Sequence, residues 1–295
     1  MSSPARTPSG SATSSPAPAD GASTRATFAS SVGVILTMIG VAVGLGNFWR
    51  FPYLVGRFGG AAFVAFYLLV VVAIGIPGLA AEWALGRHTR RGAVGAYARA
   101  GVPFGRAIGW ILFALVIASI AYYSAAVGWV LCFAVAQPIR ALGIDFDPAW
   151  VLPPASGFDA RAFTLQLVCT GAVALGGAAI LTRGLRRGIE ATSRVLVPGL
   201  FLVLLVLIVR SLTLPGAGAG LSWYLFKFRL EDLTGAVMIA ALGQAMFSLS
   251  LGGTFMVVYG SYLDDGENLR RGAVATVAAD TLVGLLAGVA IFPAV

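Results

Sequence analysis

Charged residues are scarce in this sequence, and long apolar runs take their place. Asp, Glu, Lys and Arg make up 11% of the 295 residues, whereas about 25% is usual in globular proteins. Hydrophobic residues make up 58%, and the mean hydropathy is +0.89. A soluble chain could not bury that much apolar surface, so the composition predicts an all-α polytopic membrane protein.

Histidine and cysteine are nearly absent as well. Cys132 and Cys169 lie inside apolar runs and have neither metal-ligand spacing nor the pattern of a disulfide framework, so we interpret both as packing residues. His88 stands beside Arg87 and Arg90, which is typical of a solvated loop residue. The sequence contains no Ser/His/Asp, metal or cofactor motif, and this argues against an enzyme.

The net charge of +8 comes from arginines that lie between the apolar runs. A nucleic-acid-binding protein would collect such residues in one basic patch, so we expect no nucleic-acid partner. The positive-inside rule instead assigns the arginine-rich loops, and with them the N-terminus, to the cytoplasm. This set is Arg6, Arg25, Arg87, Arg90, Arg91, Arg99, Arg106, Arg183, Arg186, Arg187, Arg194, Arg270 and Arg271.

Residues 1–26 are rich in Ser, Pro, Ala, Thr and Gly, and they predict a disordered cytoplasmic tail without a signal peptide. Residues 27–295 are expected to form one transmembrane domain, because seven apolar runs follow. The runs lie at about 32–54, 61–85, 107–136, 163–181, 195–214, 233–259 and 273–295. The last run has no polar anchor after it, which looks like a truncation after about seven helices.

Two of the seven runs are interrupted by glycine at membrane depth. The first contains GVAVGLGNFWRFP at 40–52, and the sixth contains GQAMFSLSLGG at 243–253. Backbone that leaves a helix inside a bilayer survives only when it is buried or lines a wet cavity. Half-helix N-termini suit a carboxylate, and unwound carbonyls suit a small cation. Two such breaks together favour a transporter site over close helix packing through glycine.

The motif at 40–52 is similar to the first-helix signature of the neurotransmitter:sodium symporter family. Further stretches extend the resemblance over nearly everything after residue 25. They are Gly59-Gly60 leading to Tyr67 and Pro77, EWALGR at 82–87, Tyr122-Tyr123 with Trp129, GQAMFSLSLGG at 243–253 and VYGSYL at 258–263. The resemblance implies a leucine-transporter-like inverted-repeat fold with helices 1 and 6 unwound at mid-membrane. Helices 1–5 of the first repeat would cover about 32–214, and helices 6–7 at about 233–295 would begin the second.

The resemblance also implies two sodium sites. Sodium 1 would be bound by hard oxygen ligands together with the carboxylate of the substrate. Sodium 2 would use two backbone carbonyls and further ligands from an eighth helix, so it would be incomplete here. The implied ligands are Ala42, Asn47, Ser248 and Asp280 for sodium 1, and Gly40 and Val43 for sodium 2.

Two ionisable residues, Asp280 and Glu82, lie within the apolar runs, and we expect a different role for each. Asp280 replaces the asparagine that is usual at this position in the family, and its fixed carboxylate would replace the chloride that many relatives need. We therefore expect sodium as the coupling ion and no chloride requirement; a protonated, hydrogen-bonded Asp280 without a coupling role is the alternative. Glu82 is expected to accept a hydrogen bond from freed backbone at a helix break rather than to move protons.

The substrate class follows from Gly44. Monoamine carriers of the family have an aspartate at the matching position, so with glycine the substrate should bring its own carboxylate. Gly253 replaces a bulky aromatic residue of the leucine-transporter branch, which favours a large hydrophobic or aromatic amino acid. The implied substrate-binding residues are Val41, Ala42, Gly44, Leu45, Gly46, Ser119, Tyr123, Phe247, Ser248 and Ser250. For the Tyr123 hydroxyl, packing against a helix carbonyl is the alternative to a substrate contact.

Three residues resemble gates. Arg50 would close the outer side above Phe247 and Tyr123, with its acidic partner in a tenth helix. Arg25 and Tyr262 resemble inner-gate residues, although Arg25 fits equally well as a positive-inside anchor.

The sequence therefore predicts a sodium-coupled amino-acid symporter that works by alternating access. We expect a multi-pass protein of the plasma (inner) membrane with the N-terminus in the cytoplasm. Its partners would be an amino acid and the lipid bilayer, and the resemblance is compatible with a homo-oligomer. The alternative is a nonfunctional or noncatalytic fragment of such a transporter.

Overall fold

A computed structural model of the chain describes Phe28 and residues 30–295, and within them it is helical with no β-strand. The tail predicted over residues 1–26 lies outside the described residues. The helices are α1 (Ser31–Ala42), α2 (Gly46–Arg57), α3 (Ala61–Thr89), α4 (Ala93–Arg99), α5 (Gly105–Ala141), α6 (Ala160–Leu181), α7 (Leu185–Leu212), α8 (Ala217–Leu225), α9 (Gly235–Ser248), α10 (Phe255–Gly260) and α11 (Leu269–Ala294).

Five of these helices are long and apolar enough to cross a membrane, namely α3, α5, α6, α7 and α11. Helices α1 and α2 are each too short to cross a membrane alone and pass the same test only as a pair, with their axes bent by 52°. The sixth predicted run does not form one such span. Its helices α9 and α10 have 14 and 6 residues, and α9 alone is about 21 Å long, short of the roughly 30 Å hydrocarbon core. The all-α membrane fold with broken first and sixth helices is confirmed.

The first break lies at residues 43–45. Helix α1 ends because Val43 adopts an extended conformation, with φ −76° and ψ 120°. The backbone N–H of Gly44 is then captured by a side chain, since it donates to Asn47 Oδ1 at 3.0 Å. An asparagine three residues downstream therefore satisfies backbone that the glycine-rich sequence releases from the helix.

The second break separates α9 from α10 by six residues. Ser250, Gly252 and Thr254 in this stretch have φ values of 54°, 78° and 66°. This left-handed conformation ends a right-handed helix, and it is unfavourable for residues that carry a Cβ. The chain keeps the strained conformation at Ser250 and Thr254 because the surrounding helices hold both ends of the break in place.

The main core lies where α1, α2, α3, α9 and α11 meet. Phe51, Phe63 and Tyr67 are each no more than 1% exposed, and the Phe51 ring centroid lies 6.1 Å from that of Phe63 and 5.0 Å from that of Tyr67. These rings fix α2 against α3, so the second half of the broken helix has a firm support.

A very close backbone approach joins α3 to α10. A Cβ built on Gly260 would lie 2.7 Å from Trp83 Cα and 2.7 Å from Trp83 O. Only glycine fits at such a contact, because backbone atoms cannot move aside as a side chain can. This contact holds α10, which has only six residues, against α3.

We predict that Gly260→Ala destabilises the protein by about 1–3 kcal/mol, because the added methyl group overpacks the α3–α10 contact. The measurement is the thermal unfolding midpoint in detergent. Gly177→Ala is the matched control, since a Cβ there meets nothing within 4 Å. Equal midpoints for the two variants would show that the close approach is not needed.

Candidate functional site

The two helix breaks meet at a fully buried carboxylate on α11. Asn47 Nδ2 donates to Asp280 Oδ1 at 2.8 Å and to the Asp280 carbonyl oxygen at 3.0 Å. Ser248 Oγ donates to Asp280 Oδ2 at 2.8 Å, and Asn47 Nδ2 also contacts Ser248 Oγ at 3.2 Å. All three residues are no more than 2% exposed. The structure thus brings together three of the four residues that the sequence implies for sodium 1.

The carboxyl group of Asp280 is hydrogen-bonded only by neutral side chains among the described residues. Among the described residues, no Lys, Arg or His nitrogen lies within 4.0 Å of its carboxylate. A buried carboxylate without a positive partner is costly, so it favours a bound cation or a proton. The available donors are carboxylate, amide, hydroxyl and backbone oxygens, which suit a hard cation.

The remaining implied sodium ligands lie at the end of α1. Ala42 is the last residue of α1 and is 6% exposed. Gly40 and Val43, implied for sodium 2, border the central cavity described below. A Cβ built on Gly40 would lie 3.3 Å from Ser193 Oγ and 3.3 Å from Val197 Cγ2. Gly40 therefore packs against α7.

A cavity of about 810 Å³ opens beside the two breaks. Nine of the ten residues implied for substrate binding border it: Val41, Ala42, Gly44, Gly46, Ser119, Tyr123, Phe247, Ser248 and Ser250. The tenth, Leu45, contributes its backbone N–H, which donates to Tyr123 Oη at 3.0 Å. The Tyr123 hydroxyl therefore accepts a hydrogen bond from the backbone of the first break.

Sequence reasoning missed several apolar residues of the cavity wall. These are Leu112, Leu115, Val116, Ile120, Met246, Leu251, Phe255 and Tyr259, beside Tyr122 and Gly252. Those on α5 could have been found, because residues 112, 115, 116, 119, 120 and 123 follow the spacing of one helix face. Leu251 and Gly252 could not, since the irregular backbone of the second break has no period, and α10, which carries Phe255 and Tyr259, has only six residues.

Gly44 is needed for the contact between α5 and the first break. A Cβ built on Gly44 would lie 2.7 Å from Tyr123 Oη. A side chain at this position would displace the tyrosine hydroxyl, so packing favours glycine here. The backbone N–H of the next residue, Leu45, then remains bonded to Tyr123 Oη.

Arg50 lies above the cavity and binds neutral groups. Its Nη1 donates to Gln244 Oε1 at 2.8 Å, and its guanidinium carbon lies 4.7 Å from the Phe247 ring centroid. Gln244 Nε2 in turn donates to the Gly46 carbonyl at 3.1 Å. The two breaks are therefore joined on this side of the cavity. Of the implied inner-gate residues, Tyr262 is half-buried in the segment after α10, and Arg25 lies outside the described residues.

Glu82 on α3 has the hydrogen bond that the sequence predicts. Its Oε1 accepts from the backbone N–H of Gly252 at 2.7 Å, inside the second break. Its Oε2 is buried and has no hydrogen-bond partner among the described residues. The carboxylate thus satisfies one backbone group that no helix can satisfy.

Comparisons with known proteins support one family. A profile of the Sodium:neurotransmitter symporter family matches residues 25–142 and 159–295. The chain is 37% identical to the uncharacterized sodium-dependent transporter YhdH of Bacillus subtilis, covering 91% of this chain and 59% of that protein. It is 31% identical to a protein of Homo sapiens named inactive sodium-dependent neutral amino acid transporter B(0)AT3, covering 88% of this chain and 45% of that protein.

A solved structure has the same fold. The crystal structure of MhsT in complex with L-phenylalanine matches with a TM-score of 0.76 and 35% sequence identity. The match covers 91% of this chain and 61% of MhsT. The chain therefore spans less than two thirds of the length of these relatives.

We predict that Glu82→Met lowers the thermal unfolding midpoint, because the exposed N–H of Gly252 would lose its carboxylate acceptor. The net loss of such a hydrogen bond costs about 0.5–1.5 kcal/mol. Glu82→Gln is the control, since its side-chain carbonyl oxygen can still accept this hydrogen bond. If both variants unfold at the same temperature, the hydrogen bond does not stabilise the break.

Proposed function

The chain belongs to the sodium:neurotransmitter symporter family, and from this premise we propose that it binds sodium and an amino acid and moves them together across the membrane. The observation that carries the proposal is the junction of both helix breaks at Asp280, beside a cavity. An unpaired buried carboxylate favours a cation, and the positive N-terminal end of α2 at Gly46, which borders the cavity, favours a carboxylate. The proposal is for a transporter and not for an enzyme.

For sodium 1 we propose Ala42, Asn47, Ser248 and Asp280 as protein ligands, completed by the substrate carboxylate. The hydrogen bonds at 2.8–3.2 Å among the last three support this set, because they hold the three side chains in direct contact with one another. Asn47 Oδ1 accepts from Gly44 N–H and retains a second lone pair for a cation. The carbonyls of Gly40 and Val43 would serve sodium 2, together with ligands that the described residues do not supply.

For the substrate we propose a hydrophobic or aromatic amino acid. Its carboxylate would bind the backbone of residues 42–46, the Tyr123 hydroxyl and sodium 1. The apolar wall from α5 supports a large apolar side chain, and Gly253 adds no side chain of its own to the border of the cavity. The names of two relatives agree with this class, since one is a neutral amino acid transporter and MhsT was crystallised with L-phenylalanine.

We further propose that coupling is independent of chloride, because Asp280 already supplies a negative charge beside the sodium 1 ligands. The protein would lie in the plasma (inner) membrane with its N-terminus in the cytoplasm, as the arginine-rich loops indicate. A noncatalytic role is the second candidate. The human relative carries the word inactive in its name, and the chain spans 59% of its Bacillus relative.

Sodium-driven uptake tests the proposal. We expect proteoliposomes to accumulate a labelled mixture of amino acids when sodium is outside and to fail when choline replaces it. Unlabelled phenylalanine should compete better than glutamate, because the cavity wall is apolar. The 295-residue chain should be compared with the product of the complete open reading frame. Equal uptake in sodium and choline for both proteins would contradict symport.

Asp280→Asn tests the charge balance. In the parent protein, uptake should be the same in chloride and in gluconate. In the variant, the neutral amide can still bind sodium but cannot balance its charge. Uptake by the variant should therefore occur in chloride and be lost in gluconate. Flux assays in the two anions measure the difference. A parent protein that already requires chloride would refute the assignment of this role to Asp280.

A further inference from the structure

Two neighbouring pockets form one groove along the first turns of α5. The first pocket has a volume of about 550 Å³ and lies where α5 begins. The second has a volume of about 520 Å³ and lies between α4, α5 and α10. Trp110 lines both pockets and is 58% exposed. The other lining residues include Phe104 and Arg106 in the first pocket, and Val94, Phe113 and Val116 in the second.

The groove has the length of one leaflet of a bilayer. Arg106 and Val116 are ten residues apart on α5, which makes about 15 Å along the helix axis. This is half of the roughly 30 Å hydrocarbon core. Arg106 directly precedes the apolar run at 107–136, so it lies at the end of the groove that is nearest to the head groups. The groove therefore has a cation at one end and apolar side chains at membrane depth.

Arg99 and Arg106 supply positive charge without a carboxylate beside it. Both residues are exposed, and no carboxylate oxygen of the described part of the chain lies within 4.0 Å of either guanidinium. Arg99 follows Ala98, which lines the first pocket together with Arg106. A guanidinium binds a phosphate group through two parallel N–H bonds. This end of the groove thus suits a ligand with a negative charge.

Phe104 has a backbone conformation that contacts within the protein do not repay. Its φ of 57° and ψ of 20° lie in the left-handed region, which is unfavourable for residues that carry a Cβ. The residue is 86% exposed, so packing against its neighbours contributes little to offset this cost. Phe104 borders the first pocket, as Arg106 does. An apolar ligand in that pocket would cover an aromatic ring that the chain leaves open.

Close contacts between α4 and α5 hold the groove in shape. A Cβ built on Gly109 would lie 2.7 Å from Val94 Cα, and a Cβ built on Gly105 would fall on the carbonyl oxygen of Tyr97. Backbone atoms in such contacts cannot move aside, so both positions need glycine. The two helices therefore have a fixed spacing before a ligand binds, which lowers the cost of ordering the groove on binding.

We propose that this groove binds one anionic phospholipid, with the phosphate on Arg106 and an acyl chain along Trp110 and Phe113. Anionic lipids are attracted to arginines at the membrane surface, and the bilayer around α5 supplies them. The far end of the groove reaches Phe255 and Tyr259, which also border the central cavity. A bound acyl chain would therefore pack against the part of the cavity wall that α10 forms.

Native mass spectrometry of the delipidated protein in detergent tests the site, with dioleoylphosphatidylglycerol and dioleoylphosphatidylcholine as probes. The two lipids have the same acyl chains and differ in net charge. We expect the first bound lipid to be held about three- to tenfold more tightly when it is phosphatidylglycerol. Arg106→Gln should remove most of this preference. Arg140→Gln is the matched control, because it removes an exposed arginine from the last turn of the same helix.

Trp110→Ala tests the apolar part of the groove. It should weaken the binding of both lipids by about three- to tenfold, because both lose the same contact with the acyl chain. Phe133→Ala is the control, since Phe133 is another exposed aromatic residue of α5 that lies outside the groove. All four substituted residues are exposed, so each variant should keep the thermal unfolding midpoint of the parent, which separates loss of binding from unfolding.

Equal affinities for the two lipids in the parent protein would overturn the proposal. Equal effects of Arg106→Gln and Arg140→Gln would do the same, because they would show a general attraction of charge. Unchanged binding in Trp110→Ala would show that the acyl chain does not lie in the groove. Binding by the 295-residue chain but not by the product of the complete open reading frame would assign the groove to further helices instead. None of these measurements involves sodium or uptake, so the lipid site and the proposed function are judged independently.

Discussion

The buried carboxylate of Asp280 is the constraint on which the rest of the structure depends. It accepts hydrogen bonds from Asn47 at the first helix break and from Ser248 at the second. A buried carboxyl group must be stabilised by hydrogen-bond donors, by a proton or by a cation, and here the donors come from residues at the two breaks. The two breaks, which would otherwise expose unsatisfied backbone inside a membrane, thereby become the walls of one site.

Three further side chains form hydrogen bonds with the backbone at the two breaks. Glu82 holds the N–H of Gly252, Gln244 holds the carbonyl of Gly46, and Tyr123 accepts from the N–H of Leu45. Each of these side chains comes from a different regular helix. Each forms a hydrogen bond with backbone inside a break or at the first residue after it. The irregular segments are therefore as well defined as the helices, although they lack an internal hydrogen-bond pattern.

The sequence was sufficient for the class of fold and for the position of both breaks, because glycine-rich motifs with polar residues inside apolar runs are typical of helices that unwind at membrane depth. It also predicted the partner of Glu82. It did not predict that Arg50 binds Gln244, nor that Tyr123 binds a backbone N–H. Such contacts join residues far apart in the chain, and no local pattern reports which polar group faces which. The sixth run is not one continuous span, because left-handed residues at Ser250 and Thr254 stop the helix.

The length of α5 has a mechanical consequence for the site. Its 37 residues make a rod of about 55 Å, while the hydrocarbon core of a bilayer is about 30 Å thick. The rod must tilt or project into the headgroups at both ends, where Arg106 and Arg140 lie. Ser119 and Tyr123 sit near its midpoint, where a change of tilt displaces a side chain least. Bilayer thickness would thus alter the angle of this wall while leaving the depth of the site nearly constant.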